Sequence, residues 1–424
     1  MLHIVAVLLV LTAAFSYLNH RYLRWPMTIG VMAIALAVSL AIIGLDKLGF
    51  DTLSGRQHKL LMSIDFTDVL MQGMLSFLLF AGAMHVDINQ LRRVAWPVGV
   101  LALVGTAMST LIIGYGSFHL LAVLGIAVPL VYCVLFGALI SPTDPIAVLG
   151  VLKSVNVSKS VETTIAGESL FNDGIGVVLF TLVLEMLHTG VAPTLGAGLA
   201  MFVREAVGGV AFGVGVGYFV YRLLRTIDDP QVEVLITLAT VVGGYAFAYA
   251  LDVSGPLAMV AIGLLIGNDR RAFTTSARTR DRLDVFWQVI DEILNGVLFV
   301  LIGLEFALIE FPPGSTVAVL LVVTLCLLAR YLAVGLPSLA GRHWFGLPPH
   351  SGLLLTWCGV RGGISVALAL STPPGAERDV IVMLTYAVVV FSILVQGLTV
   401  ARLTRVLGIS VNASRSESSL GRLG

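Results

Sequence analysis

The sequence predicts an all-α polytopic membrane protein of about thirteen transmembrane helices. Three observations predict it. Mean hydropathy is +0.98, with 58% hydrophobic and only 12% charged residues, too few charges to clothe a soluble chain of 424 residues. Apolar runs near the ~20 residues that cross a bilayer recur along the whole length, separated by short polar clusters. Lys and Arg gather on alternate connecting loops, as they do on the cytoplasmic side of a membrane protein.

The spans fall at roughly 2–17, 27–46, 66–86, 95–117, 124–152, 162–188, 196–223, 232–252, 254–268, 285–309, 315–340, 351–372 and 379–403. The first lacks a basic leader and a small-residue cleavage site, so it reads as a retained helix. With the N-terminus outside, the inner loops hold Arg21, Arg24, Arg92, Arg93, Lys153, Lys159, Arg222, Arg225, Arg270, Arg271, Arg278, Arg280, Arg282, Arg342, Arg402, Arg405, Arg415 and Arg422. The outer loops hold only Lys47, Arg56, Lys59 and Arg378, while Arg204, Arg330 and Arg361 lie within spans. One helix more or fewer would scramble this asymmetry, which places the C-terminus inside. Residues 1–423 read as one membrane domain, with 407–424 a short, Ser-rich cytoplasmic tail.

Zero net charge gives no electrostatic basis for a nucleic-acid partner, and membrane lipid is the expected surrounding. Cys133, Cys326 and Cys358 each sit in an apolar run and read as packing residues. The eight histidines show no metal-ligand spacing, His85 and His188 reading as interfacial, and no cofactor is expected.

An odd number of spans permits spans 1–6 and 8–13 to repeat with inverted topology, with span 7 as linker. Span 5 is interrupted by Ser141-Pro142-Thr143-Asp144-Pro145, and span 12 carries Gly359, Gly362 and Gly363 around Arg361, at the corresponding position of the second half. Two prolines remove two backbone donors. Irregular backbone at membrane depth persists only where protein buries it or a wet cavity borders it, and freed carbonyls near Thr143 can then face an ion.

Span 6 contains Glu168-Ser169-Leu170-Phe171-Asn172-Asp173, with both carboxylates expected within about two turns of the helix start. Charge in lipid is costly, so these side chains face protein or water. Glu168 and Asn172 share a face, with Asp173 about 100° further round. A buried carboxylate holds either a cation or a proton, and the two compete for the same oxygens, which suits exchange. Hard oxygen donors suit sodium or lithium, with potassium an alternative.

Arg361 needs a buried anion, and Glu168 is the expected partner. Arg330 either snorkels or caps carbonyls. Glu185 and Glu305 lie near outer span ends and read as solvated. Arg204 and Glu205 read as pairing with another helix or subunit. Asp291, Glu292 and Asn295 read as lining an entrance funnel.

The strings Ser141-Pro142-Thr143-Asp144-Pro145, Glu168-Ser169-Leu170-Phe171-Asn172-Asp173-Gly174 and Gly359-Val360-Arg361-Gly362 resemble the cation/proton antiporter-1 family, which includes NhaP-type antiporters and eukaryotic sodium/proton exchangers. The resemblance implies an inverted-repeat antiporter fold with two interrupted crossing helices. It also implies a homodimer and a core domain, including spans 5, 6, 12 and 13, that moves like an elevator. It makes Asp173 the main ion- and proton-binding acid, with Glu168, Ser169 and the Thr143 carbonyl helping to form the ion site. Asp144 balances the dipole ends of the unwound helices, Asn172 supports the site, and Arg361 pairs with Glu168. The Asn172-Asp173 pair is associated with electroneutral exchange, and no regulatory C-terminal domain is expected.

A cation channel would also place acids and carbonyls at a constriction. An intramembrane aspartyl protease using Asp144 and Asp173 is disfavoured, because glycine follows Asp173 instead of preceding it.

Overall fold

The computed structural model describes residues 2–46, 73–155, 157–190, 194–272, 277–306, 309, 311–312, 314–341 and 345–409. Lys47, Arg56, Lys59, Arg342, Arg415, Arg422, the first residues of the third predicted span and most of the tail lie outside the described residues. Helix is the only extended secondary structure among those described.

The chain opens with α1 (Leu2–Leu18), α2 (Met27–Asp46), α3 (Leu75–His85) and the short α4 (Ile88–Arg93). The Asp87 side chain starts α4 by accepting from the Asn89 and Gln90 amides. Next come α5 (Ala95–Val123), α6 (Leu130–Ile140), α7 (Ile146–Ser154) and α8 (Lys159–Thr189). Helix α5 runs longer than predicted and α6 starts later, because Gly125 takes a left-handed turn (φ +76°) and Pro129 precedes the first turn of α6.

The second half holds α9 (Leu195–Leu224), α10 (Pro230–Ala250), α11 (Gly255–Ala272), α12 (Ala277–Glu305), α13 (Ser315–Leu339), α14 (Ser351–Trp357), α15 (Gly363–Leu370) and α16 (Ala376–Val406). Asp229 caps α10 by accepting from the Gln231 and Val232 amides, with Pro230 in the first turn, where no amide is missed. Eight of these helices are at least 18 residues long and apolar enough to cross a membrane by length and composition.

Two packing groups are visible. In one, α11 lies between α3 and α9, while α12 runs along α2 and touches α1, α3 and α10. Small residues let backbones meet here: Gly209, Gly213 and Gly217 of α9 face Ser254, Ala258 and Ile262, and Gly263 and Gly267 of α11 face Phe80 and Met84. In the other group, α5 packs on α6 and α13, and α16 on α6, α13 and α15. Helix α8 touches members of both.

Candidate ion-binding site

The site begins where α6 stops. Ser141 closes the last turn, its amide and Oγ both donating to the Gly137 carbonyl at 3.1 and 2.6 Å. Pro142 cannot continue that ladder. The chain runs without helix to Pro145, and α7 restarts with the Asp144 carboxylate accepting from the Ile146 amide at 2.8 Å. The second interruption lies between α14 and α15, through Cys358–Gly362.

The two interruptions cross. The Asp144 amide donates to the Val360 carbonyl at 2.7 Å. Arg361 Nη1 donates to the Ser141 and Pro142 carbonyls at 2.6 and 2.9 Å, placing a cation at the C-terminal, partially negative end of α6. The Arg361 amide donates to Ser392 Oγ at 3.0 Å, at a wide π-type turn of α16. Gly362 is required by the close approach, since a Cβ there would run into the Asp144 carboxylate.

Helix α8 passes beside this crossing. It starts earlier than predicted, at Lys159, so Glu168 lies about two and a half turns from its start and Asp173 about four, near the middle of its 31 residues. Glu168, Ser169, Asn172, Thr143, Arg330 and Arg361 are all buried. The Thr143 amide donates to Asn172 Oδ1 at 3.2 Å, and Asn172 Nδ2 donates to Thr143 Oγ1 at 2.9 Å and to Glu168 Oε1 at 2.6 Å. The Thr143 and Ser169 hydroxyls bond at 3.0 Å.

The expected Arg361–Glu168 pair is not what forms. Arg330 Nη1 and Nη2 grip the two Glu168 oxygens at 2.8 and 2.6 Å, both side chains being buried. Arg361 is engaged by the carbonyls that the Pro142 break exposes. Arg330 therefore neither snorkels nor mainly caps carbonyls, although its Nη2 also lies 3.5 Å from the Leu355 carbonyl. It sits beside another wide turn, at Tyr331–Gly335 of α13.

Asp173 is treated differently. Only 6% exposed, its carboxylate makes no hydrogen bond or ion pair among the described residues. It lines a cavity of about 70 Å³, shared with Asp144, Asn295, Ser365, Gly362 and Gly363, and with Leu78, Leu79, Leu170 and Leu298. That leaves room for an ion and several waters. Among the described residues no three His, Cys, Asp or Glu side chains converge as for a transition metal. Carboxylate and hydroxyl oxygens instead suit an alkali cation.

Sequence reasoning brought Asp173, Asp144, Glu168, Ser169, Thr143, Asn172, Arg361 and Arg330 to notice, and all meet around the crossing. It missed the service of Ser141, Ser365 and Ser392, which look like any small span residue. Glu305, expected to be solvated, is half-buried and accepts from the Tyr386 hydroxyl at 2.6 Å. Arg204 does meet another segment, pairing with Asp252 at 3.1 Å with both side chains exposed. His85 is exposed at the end of α3, its ring bonding the Ala81 carbonyl of the same helix at 2.7 Å.

Known proteins resemble the chain in sequence and in fold. Residues 7–406 match the family model described as sodium/hydrogen exchanger, transmembrane. The chain is 48% identical to the Na(+)/H(+) antiporter NhaP of Pseudomonas aeruginosa, over 99% of this chain and 100% of that one. It is 34% identical to the Na(+)/H(+) antiporter NhaH of Halobacillus dabanensis, over 89% and 92%. The solved sodium proton antiporter MjNhaP1 of Methanocaldococcus jannaschii shares the fold with a TM-score of 0.72 at 20% identity, covering 95% of this chain and 97% of that one. The chain belongs to the sodium/hydrogen exchanger family, among its NhaP-type cation/proton antiporters.

Proposed function

We propose that this protein is a secondary active antiporter that exchanges Na⁺, or alternatively Li⁺ or K⁺, for H⁺. The observation that carries the proposal is the contrast between two neighbouring acids. Glu168 is neutralised by Arg330, whereas Asp173 faces the cavity with no protein partner. A lone buried carboxylate must be neutralised by a bound proton or a bound cation. One negative charge satisfied by one or the other makes the exchange electroneutral, one for one.

The cation takes oxygens from Asp173, Ser169 and Thr143, with Glu168 shaping the site and Asp144 and Arg361 offsetting the ends of the interrupted helices. A core containing spans 5, 6, 12 and 13 carries this site by an elevator-like displacement, alternating its access between the two sides. The crossing of α6–α7 with α14–α15 supports treating these elements as one body. The protein acts as a homodimer of thirteen-span protomers, inverted about span 7, in the bacterial or archaeal inner membrane, N-terminus outside and C-terminus cytoplasmic. The names of the relatives support the sodium/proton assignment.

The test is pH-dye dequenching in proteoliposomes with Na⁺, Li⁺ and K⁺ in turn. Competition at one carboxylate requires the apparent KM for the cation to rise as pH falls, with the maximal rate restored at saturating cation. Asp173→Asn is expected to abolish coupled proton movement while the protein still folds. Normal exchange by that variant would overturn the assignment, and unitary currents without proton coupling would identify a channel instead.

A further inference from the structure

One face of α12 borders the cavity. Asn295, 2% exposed, lines it together with Asp144 and Asp173. One turn towards the N-terminus, Asp291 is half-buried. Residues four apart share a helix face, so Asp291 looks the same way. Asn295 fixes it there, its Nδ2 donating to the Asp291 carbonyl at 2.8 Å and to its carboxylate at 3.1 Å. The Asp291 carboxylate is close enough to Asp144 for the two charges to repel. Among the described residues no Lys or Arg forms an ion pair with Asp291.

The same face changes character beyond Asn295. Leu298 lines the cavity and abuts Gly363, and Ile302 is completely buried. A cation moving from Asp173 along α12 therefore meets oxygen atoms in one direction and hydrocarbon in the other. Glu292, next to Asp291, is exposed and bonded by Gln288 at 3.0 Å, turned away from this path.

We propose that Asp291, oriented by Asn295, is the receiving carboxylate of the transport path: the oxygen donor that concentrates cations at the cavity mouth and passes them to Asp173. This rests on the antiport reading. An uncompensated acid at a low-dielectric mouth raises the local cation concentration without taking part in the exchange step itself. Its effect then falls on the apparent affinity and is screened by salt, since the Debye length is ~10 Å at 0.1 M.

The experiment uses the full-length protein in proteoliposomes, comparing initial exchange rates against Na⁺ concentration at low ionic strength and in added choline chloride. Asp291→Asn is expected to raise the KM about three- to tenfold at low ionic strength, with the maximal rate retained and the difference shrinking in high salt. Asp291→Glu should stay near wild type, and Asn295→Ala should show a smaller rise of the same kind. An unchanged KM in Asp291→Asn would overturn the proposal. So would a rise that salt does not reduce, or a loss of maximal rate at unchanged KM, both of which describe a structural residue. Failure of the wild-type protein to exchange any of the cations would instead refute antiport, and this proposal with it.

Discussion

Arg330 holds Glu168 through both carboxylate oxygens, at 2.8 and 2.6 Å, in a pocket that leaves 5% and 1% of the two side chains exposed. The fork of the guanidinium matches the carboxylate in a way that an ammonium cannot. Because Glu168 Oε1 also accepts from Asn172, the pair fixes the amide that holds Thr143. The ion pair thus sets the geometry of the Thr143 segment beside it.

Removing one member of this pair is expected to harm the protein more than removing both. Arg330→Ala should cost roughly 3–5 kcal/mol, because it leaves Glu168 buried without a counter-charge. Arg330→Met with Glu168→Gln together should recover much of that loss. Thermal unfolding of the detergent-solubilised variants measures the difference, and strictly additive losses would mean that the two side chains act independently.

Arg361 serves carbonyls, so its substitution should behave differently. Arg361→Ala leaves the Ser141 and Pro142 carbonyls without their donor, a loss of about 2–4 kcal/mol. Because its guanidinium bonds these carbonyls and not Glu168, adding Glu168→Gln should bring no recovery. Comparing the unfolding midpoints of the single and double variants checks this.

Asn172 joins Glu168 to Thr143 by three hydrogen bonds. Asn172→Ala should raise the KM for the cation by about tenfold, the scale on which outer-shell ligand support acts, because the Thr143 segment loses its anchor. Concentration-dependent exchange rates report this, and an unaltered KM would show that the proline break positions Thr143 unaided.

Tyr386 and Glu305 bring α16 against α12 at the end of α12 away from Asp291. Tyr386→Phe should destabilise the protein by about 1.5–3 kcal/mol, as expected for a hydrogen bond to an acid. In the Glu305→Gln background the same substitution should cost less. A double-mutant cycle on thermal unfolding yields the coupling directly.

Much of this was legible because membrane depth makes polarity conspicuous. The prolines around Thr143 and the glycines around Arg361 mark both interruptions, and the four-residue spacing of Glu168 and Asn172 foretells their hydrogen bond. The partner of Glu168 was not legible. Two arginines at similar depth both lacked an anion, and spacing along the chain says nothing about which of two distant helices turns towards α8. The chemistry that decided it is backbone: the carbonyls of Ser141 and Pro142 become acceptors only once the break has formed, and they claim Arg361. Glu305 was misread for a related reason, since nearness to a span end gives no sign that Tyr386 arrives from a helix 81 residues away.

The glycine seams joining α3, α11 and α9 have a mechanical consequence. Where backbones touch without an intervening layer of long side chains, a shift of even a fraction of a residue drives carbonyl into Cα, so the joint is keyed like a cog and resists sliding. The boundary beside Asp173 is built from Leu78, Leu79, Leu170 and Leu298, whose branched ends can rotate as surfaces pass. In the proposed elevator-like displacement, the glycine seams would move as rigid joints and the leucine boundary would be the surface that slides. Disulfide tethers placed across the α9–α11 seam should be silent in transport, whereas tethers from α3 to α15 should arrest it.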